Sequence, residues 1–414
     1  MSGLPKKRCS KANDDSNPAE ETVKGGACRK NRLRSLSDRE GFSLKHLALE
    51  ERRKRLVESL GLKKEEYAAL LAENTAEAKA KAEKIIKKAA FELKYGYVYG
   101  GHVKNEILGM LTVYNLGRSF SVRARRKIRF DPTDDKLYLN TYQYLRRDSS
   151  KKAKVFVYIH GGGWIGGWPE SREAFTTRVA SAGFFVVSVY YGEAPKYSHP
   201  KMIENIYKAL GYVRDHADEW NVDVGSVFVG GESAGAHLAA MAGCISSNPE
   251  YKMHFNLDPR AKDIPIAGLV LNCGVYDMEK ALLTGFRNCG IYTQANCGGV
   301  KVGETSEEMR REISPIYWLT PSFPPSFVIS AENDKLAVLS FDLVGRLYEL
   351  GVYTEHYHGE GALAVHAFAV TQCLKISREA MDGVRKFLYA FTDIPPDGLK
   401  RLRKEFDIGN RNNE

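Results

Sequence analysis

From residue 154 onward, short apolar runs and helix-patterned segments take turns, and this alternation narrows the possible folds more than any other property of the chain. Apolar runs stand at 154–159, 184–191, 226–230, 267–273, 326–330 and 353–357. Helical periodicity fills 171–182, 202–220, 234–245 and 336–350, with a last helix around 368–391. Continuous apolar strands must be buried on both faces, so the pattern predicts an α/β fold with a mostly parallel sheet between two helical layers. Upstream, 122–130 and 136–145 alternate with period two around the turn Asp131-Pro132-Thr133-Asp134-Asp135 and read as two further strands. On the first of them Arg123, Arg125, Lys127 and Arg129 fall on one solvent-facing side. Residues 279–318 interrupt the alternation and are expected to form a cap insertion.

The first third of the chain is different. Residues 1–130 hold 30 Lys and Arg against 16 Asp and Glu, whereas 131–414 hold 31 against 35, so the net charge of +10 is an N-terminal property. Residues 1–40 carry almost no large apolar side chains and are expected to be a flexible basic tail. Its clusters Lys6-Lys7-Arg8 and Arg29–Arg34 read as a solvated tail, with weak contact to an anionic membrane as the interaction such a tail could make. No nucleic-acid partner is expected. Helical periodicity marks 42–95, broken at Gly61, within a helical cap segment drawn at 41–119. The catalytic domain is drawn at 120–400 and a polar tail at 401–414.

Hydrophobic residues make up 43% of the chain, its mean hydropathy is −0.37, and no apolar run reaches 18 residues, which excludes a hydrophobic membrane-spanning helix. Seven cysteines without a CxxC pair, and a basic Met1–Arg8 followed by no apolar core, predict reduced thiols in a cytoplasmic protein. No His stands at ligand spacing from Cys289 and Cys297, so no metal is expected.

Gly231-Glu232-Ser233-Ala234-Gly235 joins an apolar strand to a small-residue helix. A sharp strand-to-helix turn there would lift the Ser233 hydroxyl clear of the backbone, and glycines two positions away on each side let the turn close. His160-Gly161-Gly162-Gly163-Trp164 follows the strand at 154–159; the amides of Gly161 and Gly162, with that of Ala234, are expected to receive an oxyanion. A serine nucleophile needs a base, and the base an orienting acid. Asp334 lies just past the strand at 326–330, with Glu332 and Asp342 as rivals. His366 lies 32 residues beyond Asp334 and is expected at the start of the last helix, with His356 and His358 as alternatives.

Taken together, residues from about 150 to 392 resemble the hormone-sensitive-lipase-like family of α/β-hydrolase esterases. The resemblance rests on HGGGW at 160–164, GESAG at 231–235, Tyr191, Ala194, Pro195 and Pro200, Ser314-Pro315 and Pro324-Pro325, Asp334-Lys335-Leu336, and His366-Ala367-Phe368. It implies an α/β-hydrolase fold with a helical cap and a serine carboxylesterase acting on short- to medium-chain acyl esters, with Ser233, His366 and Asp334 as triad and no cofactor. Glu232 replaces the family's more usual Asp. Gly192 and Lys196 replace an Arg and a Glu, so an ion pair behind the site is expected to be missing. HGGGW-x-x-G with Ser233–Leu238 also resembles isoprenylcysteine methylesterases and kynurenine formamidases. An amidase or formamidase using the same triad, and a non-catalytic ligand-binding protein on this fold, are the alternatives.

Overall fold

The computed structural model describes residues 75–392, together with 69, 72 and 73. The basic tail, the helical pattern before residue 69, Cys9, Cys28 and the C-terminal tail lie outside the described residues.

Eight strands form one sheet in the order β1-β2-β4-β3-β5-β6-β7-β8. The strands are β1 (Val122–Arg129), β2 (Tyr138–Tyr144), β3 (Ala153–Ile159), β4 (Phe185–Tyr190), β5 (Val222–Glu232), β6 (Ile266–Asn272), β7 (Ser326–Ala331) and β8 (Thr354–Gly359). β2 runs antiparallel to both β1 and β4, and every pairing from β4 across to β8 is parallel. The alternation of apolar runs thus yields the sheet it predicts. Val155, Val157, Ile159, Val227 and Val229 face one apolar layer, and Phe156, Tyr158 and Phe228 face the other. Among the described residues no helix is long and apolar enough to cross a membrane.

The first described helix, α1 (Ala76–Thr112), runs well past the expected end at 95. Gly96, Gly100 and Gly101 do not stop it, although helix-interior glycines cost about 1 kcal/mol each. The inward residues Phe91, Val98 and Glu106 recur at helical spacing and are buried, and the packing of that face outweighs the glycines' propensity. The chain divides into two compact units, 1–90 and 91–414, so the C-terminal half of α1 belongs with the sheet.

Downstream lie α2 (Glu173–Ser181), α3 (Lys201–Asp215), α4 (Ala234–Ser247), α5 (Met278–Leu283), α6 (Cys289–Asn296), α7 (Glu307–Glu312), α8 (Ala337–Glu349) and α9 (Lys375–Ala390). Helices α5 to α7 occupy the interruption at 279–318. The last helix begins seven residues later than its apolar pattern suggests. Ala367 takes a left-handed φ of 56° and only a short 3-10 turn follows it, so His366 sits in a loop and not on the helix. On β1 the expected basic face is interrupted by a bulge between Arg125 and Ile128, where Lys127 has φ 59°. Arg126 there turns to Glu173 at 2.5 Å.

Candidate active site

The turn between β5 and α4 is built by what its neighbours lack. Ser233 has φ 55° and ψ −119°, a conformation that non-glycine residues rarely hold. A Cβ on Gly231 would meet the Ile159 carbonyl oxygen at 2.3 Å, and one on Gly235 would meet it at 1.9 Å. Only glycine at both positions lets the turn press against the end of β3, and the pressed turn points Ser233 Oγ into a cavity.

Ser233 Oγ lies 2.9 Å from His366 Nε2, and His366 Nδ1 lies 2.8 Å from Asp334 Oδ2. Asp334 Oδ1 accepts the Leu336 amide at 3.0 Å, and its side chain is fully buried. The geometry fits a hydroxyl donating to an imidazole whose other N–H donates to a fixed carboxylate. The rival residues are occupied elsewhere. Glu332 accepts the Gly361 amide, Asp342 pairs with Lys280, and His356 and His358 both bond Ser330 Oγ at 2.8 Å.

The thiol of Cys273 stands beside Asp334 and His366, their donor atoms all within 4.8 Å. Burial, then the Asp334 charge, push its pKa well above the ordinary thiol range. A thiol held protonated, next to an acid and an imidazole already bonded to each other, makes a poor metal ligand set. Cys289 and Cys297 are both free thiols.

The glycine loop corrects one expectation. The Gly161 amide donates to Glu232 Oε1 at 2.7 Å, so it is already committed and cannot receive an oxyanion. Its neighbour Gly162 adopts φ 124°, and a Cβ there would lie 2.0 Å from the Gly166 carbonyl oxygen. Gly162 and Gly163 line the cavity beside Ser233, and among the described residues neither their amides nor that of Ala234 has an acceptor.

Glu232 is the centre of a buried polar cluster that the motif spacing did not reveal. It accepts from Arg172 Nε and Tyr158 Oη as well as from Gly161. Arg172 in turn makes a two-pronged pair with Glu106 of α1, at 3.1 Å on each nitrogen. Burial opposes the charge on Arg172, but Glu106 and Glu232 outweigh it and hold its pKa well above the usual value. Burial likewise opposes ionisation of Glu106, and the Arg172 charge and hydrogen bonds overcome it. The ion pair expected to be missing behind the site is therefore supplied by residues outside the Tyr191–Pro200 motif.

Two buried histidines shape the frame. His160 donates from Nδ1 to the Gly161 carbonyl at 2.8 Å, and burial lowers its pKa to about 4. His237 on α4 accepts from Trp164 Nε1 at 3.1 Å and donates to the Ile313 carbonyl at 2.9 Å; burial lowers it to about 3. It thereby joins the glycine loop, the nucleophile helix and the 279–318 segment. The cavity, about 360 Å³, is walled by α1 (His102, Glu106), the glycine loop, Phe286, Cys289 and Tyr292 of the 279–318 segment, and Val365 to Phe368.

Residues 143–340 match the BD-FAE family model. This part of the chain is similar to hormone-sensitive-lipase-like α/β-hydrolases, and relatives it matches are named as esterases. Esterase LipQ of Mycobacterium tuberculosis is 27% identical over 250 residues, 58% of this chain and 55% of LipQ. An arylesterase of Saccharolobus solfataricus is 26% identical over 254 residues, 60% of this chain and 78% of that protein. The chain spans about half the length of the mycobacterial relatives it matches. Among solved structures, esterase B from Lactobacillus Rhamnosis superposes with a TM-score of 0.64 at 19% identity, covering 78% of this chain and 99% of that one. The hyperthermophilic esterase from Pyrobaculum calidifontis gives 0.55 at 23%, covering 72% and 92%. At these identities the likeness is one of fold.

Proposed function

We propose that the protein is a serine carboxylesterase, with Ser233 as nucleophile, His366 as base and acid, and Asp334 as the group that orients the imidazole. The observation that carries this reading is the unbroken chain from Ser233 Oγ through His366 to Asp334, 2.9 and 2.8 Å, opening onto a cavity. His366 takes the hydroxyl proton as Oγ bonds the ester carbon, then gives it to the leaving alcohol as the C–O bond breaks. Water repeats the sequence on the acyl-enzyme and releases the acid. The negative oxygen formed in each half is received by the amides of Gly162, Gly163 and Ala234.

A cavity of about 360 Å³ lies at the small end of ligand pockets, which favours short- to medium-chain acyl groups. Phe286, Cys289 and Tyr292 in the cavity wall support a cap role for 279–318. The names of the relatives, esterases and an arylesterase, favour esters over amides. The test is a panel of 4-nitrophenyl esters of rising acyl length with labelling by a fluorophosphonate. The expected result is labelling at Ser233 and turnover that falls with long chains. An unlabelled Ser233, or a Ser233→Ala protein as active as the parent, would overturn the assignment.

A further inference from the structure

The polar cluster beside Ser233 does not balance in charge, and its imbalance faces the cavity. Glu106, Arg172 and Glu232 all line it, two carboxylates against one guanidinium. Each Arg172 nitrogen already bonds a carboxylate: Nε bonds Glu232, and Nη1 and Nη2 bond Glu106. His102, one turn before Glu106 on α1, also lines the cavity; its Nε2 is buried and has no partner among the described residues. Burial lowers the His102 pKa, so it adds no compensating positive charge at neutral pH. Among the described residues no other Lys or Arg reaches the cavity wall.

The leaving alcohol must depart on the side of His366, which protonates it. The carbonyl oxygen is taken by the glycine-loop amides, and the acyl chain, which stays bonded to Ser233, has the rest of the cavity, whose wall includes Glu106, Arg172 and Glu232. The cluster borders the glycine loop, since Glu232 holds the Gly161 amide and His102 packs against Gly166, where a Cβ would lie 2.5 Å from its ring.

We infer that Glu106 is a specificity-determining residue of the acyl site, and that the site takes acyl groups that are neutral or carry an ammonium group while refusing those that end in a carboxylate. The inference rests on the esterase reading. An acyl carboxylate would have to lose its water beside an uncompensated buried negative charge, with no free guanidinium to receive it. An ammonium would meet the opposite field, with His102 Nε2 free to accept its hydrogen bond.

Three 4-nitrophenyl esters of matched length test this on the full chain: the hexanoate, the 6-aminohexanoate and the adipate monoester. The expected kcat/KM for the adipate is lower than for the hexanoate by on the order of ten-fold or more, and the aminohexanoate equals or exceeds the hexanoate. Because the charges are buried, the gap should persist in 0.5 M salt. Glu106→Gln should narrow the gap and Glu106→Asp should keep it, which a purely structural role would not predict. Thermal melting of both variants checks that they fold, and the wild-type comparison stands if Glu106→Gln does not. Adipate cleaved as fast as hexanoate by the wild type, or a gap unchanged in folded Glu106→Gln, overturns the inference. If no ester is turned over, the esterase reading fails separately; calorimetric binding of the ethyl ester counterparts to Ser233→Ala protein then decides the charge preference, equal affinities counting against it.

Discussion

The strained φ of 55° at Ser233 and the two hydrogen bonds of His366 give the site its most direct consequences. Asp334→Asn keeps the shape but removes the acceptor that fixes the imidazole tautomer. Turnover of a short ester should fall by on the order of 10³- to 10⁴-fold with KM little changed, as steady-state kinetics would report. That Ser233, His366 and Asp334 meet is legible from sequence because each lies next to a marker that physics requires: a small-residue turn, a strand end, or a loop after a strand. The commitment of the Gly161 amide to Glu232 is not legible in the same way. Glycine permits an amide to point at a ligand, but sequence does not tell which of three consecutive amides is already bonded. Glu106 and Arg172 were invisible because they lie 126 and 60 positions before Glu232, with no shared motif. The only trace was the acid at 232 itself, a charge next to a nucleophile in an otherwise apolar strand end.

Elements constrain the site through close approach. The Ile159 carbonyl oxygen at the end of β3 lies where a Cβ of Gly231 or Gly235 would sit, so strand and turn touch through backbone alone. Gly235→Ala must push α4 away from β3 and is expected to cost about 3 kcal/mol or more, read as a fall in the urea midpoint at unchanged m-value. Helix α1 is held differently. Tyr95 Oη donates to the Ala194 carbonyl at 2.8 Å, and Tyr99 Oη to Glu193 at 3.2 Å. Tyr95→Phe should cost about 1 kcal/mol, much less than the glycine change, because the partner carbonyl is left without its donor but nothing clashes. The sheet could be read from sequence since its strands are continuous apolar runs. The length of α1 could not, because three glycines argue for a break that burial of the opposite face overrides.

At the scale of the whole molecule, buried neutral histidines set the response to acid. His160 and His237 have pKa values of about 4 and about 3, below the ordinary value near 6.5, because burial disfavours their charged form. The unfolded chain takes up these protons near pH 6.5 while the folded chain resists. Stability is therefore full above that pH and is lost as pH falls below it. Between pH 6.5 and 5, before most carboxylates titrate, each histidine's slope should rise from about half to nearly the full value of about 1.4 kcal/mol per pH unit. Urea unfolding at pH 7.5, 6 and 5 measures the slope, and His237→Gln should make it shallower by one histidine's share.

The bond from His237 Nε2 to the Ile313 carbonyl carries a consequence for descent and for engineering. The segment at 279–318 looks like a replaceable part, a stretch between two strands that a relative could donate. Its backbone nevertheless accepts the N–H of an imidazole on another element, and that imidazole's second nitrogen accepts from Trp164. A graft that brings a new segment without an oxygen at that point leaves a buried N–H orphaned. The segment and residue 237 are thus bound to be exchanged together, as a lock and the key cut for it.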